Sequence, residues 1–164
     1  MSRPIDRLAE NVLKRAKACG LEVVTAESCT AGAVAHALSK AEGAAKHFAG
    51  GFVTYTKAMK SRVLGVPMEV LKKKGAVCAE VAEAMARGAI ARSGASAAVA
   101  VTGVAGPEPD EDGNPVGLIY CAVMRRGQAP KSVRLQSNAT QRRAILEDAA
   151  TEALTLLRSV FVPE

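Results

Sequence analysis

A strand-like run, Leu21 to Val24, apolar but for Glu22, passes through Thr25-Ala26-Glu27-Ser28-Cys29-Thr30 into a small-residue helical stretch from about Ala31 to Leu38. A strand that feeds a helix through one turn belongs in a sheet with helices packed on it. The alternation continues along the chain. A first helix opens at Pro4, a favourable first helical residue, and stops before Gly20. Its apolar stripe is Ile5, Leu8, Val12, Leu13 and Ala16. A strand is expected at 21–26 and a helix at 30–40, and Gly50-Gly51 breaks the chain before a strand at 52–55. Helices follow at 57–64, ending at Gly65, and from Pro67 to Gly75. The segment 79–93 puts Val81, Met85 and Ala89 on one helical face, with Glu83 four residues before Arg87. Ala97 to Val101 reads as a buried strand. Val116 to Met124 and Ser132 to Leu135 read as neighbouring strands joined at Arg126-Gly127-Gln128. The last helix is placed near Asn138, with Gln141 as in a capping box. It carries Ile145, Ala149, Ala153, Leu156, Leu157 and Val160 inward. The pattern predicts an α/β fold with a mixed sheet covered on both faces.

With 164 residues, no linker and no repeat, the chain is expected to form one domain over 1–164. Aromatics are 3% of it and tryptophan is absent, so the core must come from Ala, Val, Leu and Ile with closely packed helices. No apolar run approaches the ~18 residues that span a bilayer. Met1 to Asp6 does not read as a signal peptide, and Cys19, Cys29, Cys78 and Cys121 form no C-x-x-C pair. Free thiols, a cytoplasmic location and no membrane association are the expectation. The net charge of +6 suits a phosphorylated or acidic ligand. Basic residues are scattered, and the one run, Lys72-Lys73-Lys74, sits where lysines favour a helix C-terminus. Nucleic acid is therefore not the expected partner.

Ser28 at a strand-to-helix turn can be an N-cap. It can also be a nucleophile, with free backbone N–H groups beside it to hold an oxyanion. Phe52 to Lys60 adds Tyr55, Lys57 and Lys60 on a second strand-to-helix junction. Serine, lysine and tyrosine are the parts of a nucleophile that works without histidine. A lysine base must be neutral, which requires burial or a neighbouring cation; the alternative is a pair of solvated lysines. Glu27 is either a surface charge or a partner for a substrate hydroxyl. Cys29 is a rival nucleophile or a buried small residue. Thr102-Gly103-Val104-Ala105-Gly106-Pro107 follows a buried strand, and its glycines let backbone approach a ligand. The stretch Glu108 to Pro115 reads as an exposed, mobile acidic loop without calcium-loop spacing. His36 and His47 have no spacing that links them to Ser28 as a triad. No metal is expected.

Together these segments resemble the C-terminal domain of the CinA family, in its stand-alone form of nicotinamide mononucleotide amidohydrolase. The matching residues are 25–30 with Gly32, Gly51 to Tyr55 with Lys60, Gly75-Ala76-Val77, Thr102 to Pro107, and Pro115-Val116-Gly117. The resemblance implies a three-layer α/β/α sandwich with a mixed, mostly parallel sheet, and no cofactor. It implies hydrolysis of the nicotinamide amide to the acid with release of ammonia. Ser28 would be the nucleophile, Lys60 its base, and Tyr55 an aid to proton transfer or orientation. Ala26, Glu27, Cys29, Thr30, Gly32, Thr102, Gly103, Gly106 and Arg142 would bind substrate, with Arg142 on the phosphate. Ala31 replaces a usual glycine, Asn114 stands where lysine is common, and loop 108–114 is unusually acidic. An arginine near Leu146 is missing, with Arg143 as the candidate substitute. A homo-oligomer is expected, because small-residue helices allow close subunit packing. Three other readings stay open: a non-catalytic pyridine-nucleotide-binding module, a Cys29-dependent amidase and a DNA-associated factor.

Overall fold

The computed structural model describes residues 1–161. Its elements are α1 (Pro4–Ala18), β1 (Val23–Glu27), α2 (Ala33–Ser39), α3 (Ala44–His47), β2 (Phe48–Val53), α4 (Lys57–Leu64), α5 (Met68–Lys74), α6 (Ala79–Ser93), β3 (Ala97–Gly103), β4 (Leu118–Arg125), β5 (Lys131–Gln136) and α7 (Arg142–Ser159). The strands lie in the order β2-β1-β3-β4-β5. β1 pairs in parallel with β2 and β3, while β4 is antiparallel to β3 and β5. Four of the five strands therefore run one way and β4 runs against them. The sheet is mixed, as its late strand pair predicts.

Alternation along the strands sends side chains to two separate cores. Val23, Val99, Val101, Ile119, Cys121 and Val123 face α1, α2 and α7. Val24, Ala26, Ala98, Ala100 and Ala122 face α4, α5 and α6. Alanine dominates the second set, so α6 can approach the sheet closely through its own Ala82, Ala86 and Ala89. Both cores are built almost without aromatic side chains. Among the described residues no helix is long and apolar enough to cross a membrane.

Connections from β1 and β2 reverse direction across the sheet: β1 leads out to β2, which returns over β1 to β3. In open α/β sheets, ligands settle outside the carboxyl ends of the strands at such a switch point. Here those ends are Glu27-Ser28 and Thr102-Gly103. Two further bonds extend the ladder beyond β1 and fix the tip: Ser28 N–H donates to Val101 O (2.9 Å) and Thr54 N–H donates to Glu27 O (2.9 Å).

Several boundaries differ from the sequence expectation. β2 begins at Phe48 and runs through Gly50-Gly51 instead of starting after them. Parallel pairing to Val24 and Thr25 supplies the order, and glycine is required at 51 because a Cβ there would stand 2.3 Å from Thr25 Oγ1. α2 starts at Ala33, since Ala31 (φ 46°) and Gly32 (φ 100°) adopt left-handed backbone. α7 starts at Arg142, and Gln141 makes no side-chain cap. Ser137 instead organises the approach, accepting from Ala139 N–H (3.2 Å) and donating to Asp148 (2.5 Å). Leu156 and Val160 are only partly buried. The short helix α3 carries no apolar stripe and was not expected.

Candidate active site

Lys60 lies on the inner face of α4, whose start is capped by Thr56 Oγ1 accepting from Met59 N–H (3.1 Å). Its side chain is fully buried. The Nζ lies 2.7 Å from Ser28 Oγ, 2.8 Å from Thr54 O and 3.3 Å from Tyr55 O. Among the described residues no carboxylate pairs with it. Burial in that setting pulls the Lys60 pKa down from 10.5 to about 8. A neutral amine has two N–H donors and one lone pair. The ammonium donates to all three oxygens; in the neutral form the two carbonyls keep the N–H groups and the lone pair is left for the Ser28 hydroxyl. Cys29 also borders the cavity, but burial pushes its thiol up to about 11, away from the thiolate form a nucleophile needs.

Glu27 is not a surface charge. It is 1% exposed. Its carboxylate accepts from Thr30 Oγ1 (2.7 Å), Val34 N–H (2.9 Å), Ala35 N–H (3.0 Å) and Thr25 Oγ1 (3.4 Å). It thus caps the start of α2 from outside the helix. That arrangement consumes Thr30 as well, and Ala26 is buried in the α6-side core. Gly32 serves as the N-cap of α2. Ala26, Glu27, Thr30 and Gly32 do not line the cavity at Ser28. Of the N–H groups expected for an oxyanion, that of Ala31 donates to Ser28 O (3.1 Å), whereas those of Cys29 and Thr30 have no backbone partner among the described residues.

The cavity, of about 290 Å³, is lined by Ser28, Cys29, Tyr55, Lys60, Thr102, Gly103 and Arg142 among others. Thr102 Oγ1 donates to Ala76 O (2.8 Å), tying β3 to the segment after α5. Tyr55 is 55% exposed, and its hydroxyl accepts from Arg142 (3.0 Å), not from Ser28 or Lys60. Its link to the dyad is the backbone carbonyl on Lys60 Nζ. Arg142 also donates to Gly106 O (2.6 Å), which is how Gly106 takes part. Arg143 lies outside this cavity, beside Glu147 at 3.6 Å.

Sequence reasoning missed the acidic loop as a wall of the site. Asp110, Glu111 and Asp112 line the cavity instead of standing free. Lys57 Nζ is 2.8 Å from Asp112 Oδ1 and 3.1 Å from Glu111 Oε1. Those partners, 54 and 55 residues away in the chain, leave no local signal. It also missed Thr54, whose carbonyl holds Lys60. A clue existed in its position, at the joint between strand and helix. Among the described residues no group of three His, Cys, Asp or Glu side chains is placed to hold a metal ion.

The sequence model of the CinA C-terminal domain matches residues 5–161. The nicotinamide-nucleotide amidohydrolase PncC of Pseudomonas putida is 46% identical over 119 residues, covering 73% of this chain and 74% of that protein. A CinA-like protein of Geobacter sulfurreducens is 46% identical over 140 residues, 85% of this chain, and the chain spans 33% of that relative's length. The crystal structure of competence/damage inducible protein CihA from Agrobacterium tumefaciens superposes with a TM-score of 0.92 at 38% identity, covering 98% of this chain and 97% of that one. A strand-to-helix serine against a buried lysine on this five-stranded sheet, and a match across nearly the whole chain, lead to one assignment: the chain belongs to the CinA C-terminal domain family.

Proposed function

We propose that this chain hydrolyses the carboxamide of a nicotinamide nucleotide, converting nicotinamide mononucleotide to nicotinate mononucleotide and ammonia. The observation that carries the reading is the 2.7 Å contact between Ser28 Oγ and a fully buried Lys60 whose pKa is pulled down to about 8. The similarity to an amidohydrolase that acts on nicotinamide nucleotide supports the substrate class.

In this mechanism neutral Lys60 accepts the Ser28 proton as Oγ attacks the carboxamide carbon. The N–H group of Cys29, a cavity-lining residue, is the donor for the developing oxyanion, a contribution of about 3 kcal/mol for a well-placed donor. The tetrahedral intermediate expels ammonia, which takes its proton from the Lys60 ammonium. Water then attacks the acyl-enzyme, with Lys60 again the base, and the acid leaves. Arg142 holds the phosphate, fixed by Tyr55 and Gly106.

Ammonia release from nicotinamide mononucleotide tests the reading. Wild type and Cys29→Ala are expected to be active, while Ser28→Ala and Lys60→Ala lose activity by at least about 10³-fold. Loss in Cys29→Ala with activity retained in Ser28→Ala would transfer the role to the thiol. Binding without turnover in wild type would leave a nucleotide-binding module.

A further inference from the structure

The cavity's fixed charges do not simply add up to an anion site. Arg142 donates only to neutral partners, Gly106 O and the Tyr55 hydroxyl. Among the described residues it takes part in no ion pair. Lys57 is bound by two carboxylates, from Asp112 and Glu111. Lys60 is neutral when it works as a base. Asp110 lines the same cavity as a third carboxylate.

The carboxylates are held in place by the loop's own construction. Asp110 accepts from Asp112 N–H (3.1 Å), Asn114 N–H (2.7 Å) and Asn114 Nδ2 (2.8 Å), which closes the turn. Asp112 rests against Gly75, where a Cβ would stand 2.7 Å from Oδ2. An exposed ion pair contributes little to stability. At the mouth of a cavity that receives a charged ligand, the same pair changes the field the ligand meets.

We propose that Glu111 and Asp112 are specificity determinants: by holding Lys57 they leave Arg142, among the described residues, as the permanently charged side chain of the cavity without a carboxylate partner, and so restrain its preference for phosphorylated over unphosphorylated nicotinamide ligands. The proposal rests on the amidase reading for its ligand class. It assigns Lys57 to the loop and not to the phosphate.

Isothermal titration in the Ser28→Ala background, at fixed ionic strength, tests it with nicotinamide mononucleotide, nicotinamide riboside and inorganic phosphate. Glu111→Gln/Asp112→Asn is expected to tighten the mononucleotide and phosphate by about tenfold and to leave the riboside within about twofold. Adding Lys57→Met should remove that gain. Lys57→Met alone should change mononucleotide affinity by less than about threefold, because its charge is already compensated. Equal gains for riboside and mononucleotide, or no gain for either phosphate-bearing ligand, overturns the proposal. So does a tenfold loss from Lys57→Met alone, which would put Lys57 on the phosphate. Failure of the amidase reading is a separate outcome: no ammonia release by wild type and no riboside binding. Phosphate affinity then still decides whether the carboxylates restrain anion binding.

Discussion

Lys60→Met should remove a pH-dependent part of the protein's stability, and the difference from wild type measures the titration of the buried lysine directly. Folded Lys60 loses its proton near pH 8, against the ordinary 10.5 of a solvated lysine. The difference between those two values corresponds to about 3 kcal/mol of penalty on the buried ammonium. The sign follows from proton counting. Between pH 8 and 10.5 the unfolded chain binds the proton that the folded chain has lost, so stability rises with pH. The contribution is fully present above 10.5 and is lost as pH falls through 8. Methionine has no proton to release. It also leaves Thr54 O and Tyr55 O without the amine, a cost of about 1–3 kcal/mol for each group that stays dry. That cost does not depend on pH and cancels in the comparison. Wild type should therefore gain about 3 kcal/mol over Lys60→Met between pH 7 and 10.5. With a urea slope of about 2 kcal/mol/M, the two midpoints should move relative to one another by about 1.5 M. A constant offset would refute the depressed pKa. A relative loss by wild type as pH rises would show that the three oxygens hold the ammonium better than water does, and Lys60 could not then be the base.

Activity should follow the same titration, with kcat/KM rising through an apparent pKa near 8 as Lys60 becomes neutral. Ala31→Gly should stabilise the protein by about 0.5–1 kcal/mol in thermal or urea unfolding, because Ala31 holds φ 46°; destabilisation would contradict that backbone. Thr54→Val should be neutral or stabilising by up to about 1 kcal/mol, since Thr54 Oγ1 is buried without a hydrogen-bond partner among the described residues. A large loss would reveal a partner for that hydroxyl. Gly75→Ala should destabilise by about 1–3 kcal/mol, because Gly75 has φ 78° and Asp112 fills the space beside it. The same change should raise phosphate affinity by releasing Lys57.

Local patterns were the legible part of this chain. The pattern places helices at 79–93 and 57–64, and the structure has α6 at Ala79–Ser93 and α4 at Lys57–Leu64. In both, a helical run ends in a C-cap glycine, Gly94 or Gly65, in left-handed backbone. The neighbouring strands β4 and β5 are legible from the apolar run of β4, the alternation of Val133 and Leu135 in β5, and the tight turn between them. Boundaries failed where a distant partner decided them. Gly50-Gly51 looks like a break, yet β1 gives those residues a ladder to join. Asn138 looks like a cap, yet Ser137 bonds Asp148 and delays the helix.

The sequence by itself determined the alternation of elements, the nearly aromatic-free core and the placing of Ser28 at a strand-to-helix turn. It also carried the family, because the motifs recur in order along the chain. Only the tertiary structure decided what each polar side chain faces. Glu27, next to Ser28 in the chain, turns away to cap α2, whereas Lys60, 32 residues on, comes within 2.7 Å of the hydroxyl. The acidic loop and Lys57 meet across a still longer separation. Secondary structure answers to the period of nearby residues, whereas a shifted pKa answers to burial and to the oxygens around one atom. Those are supplied by segments that the chain order keeps apart and the sheet brings together.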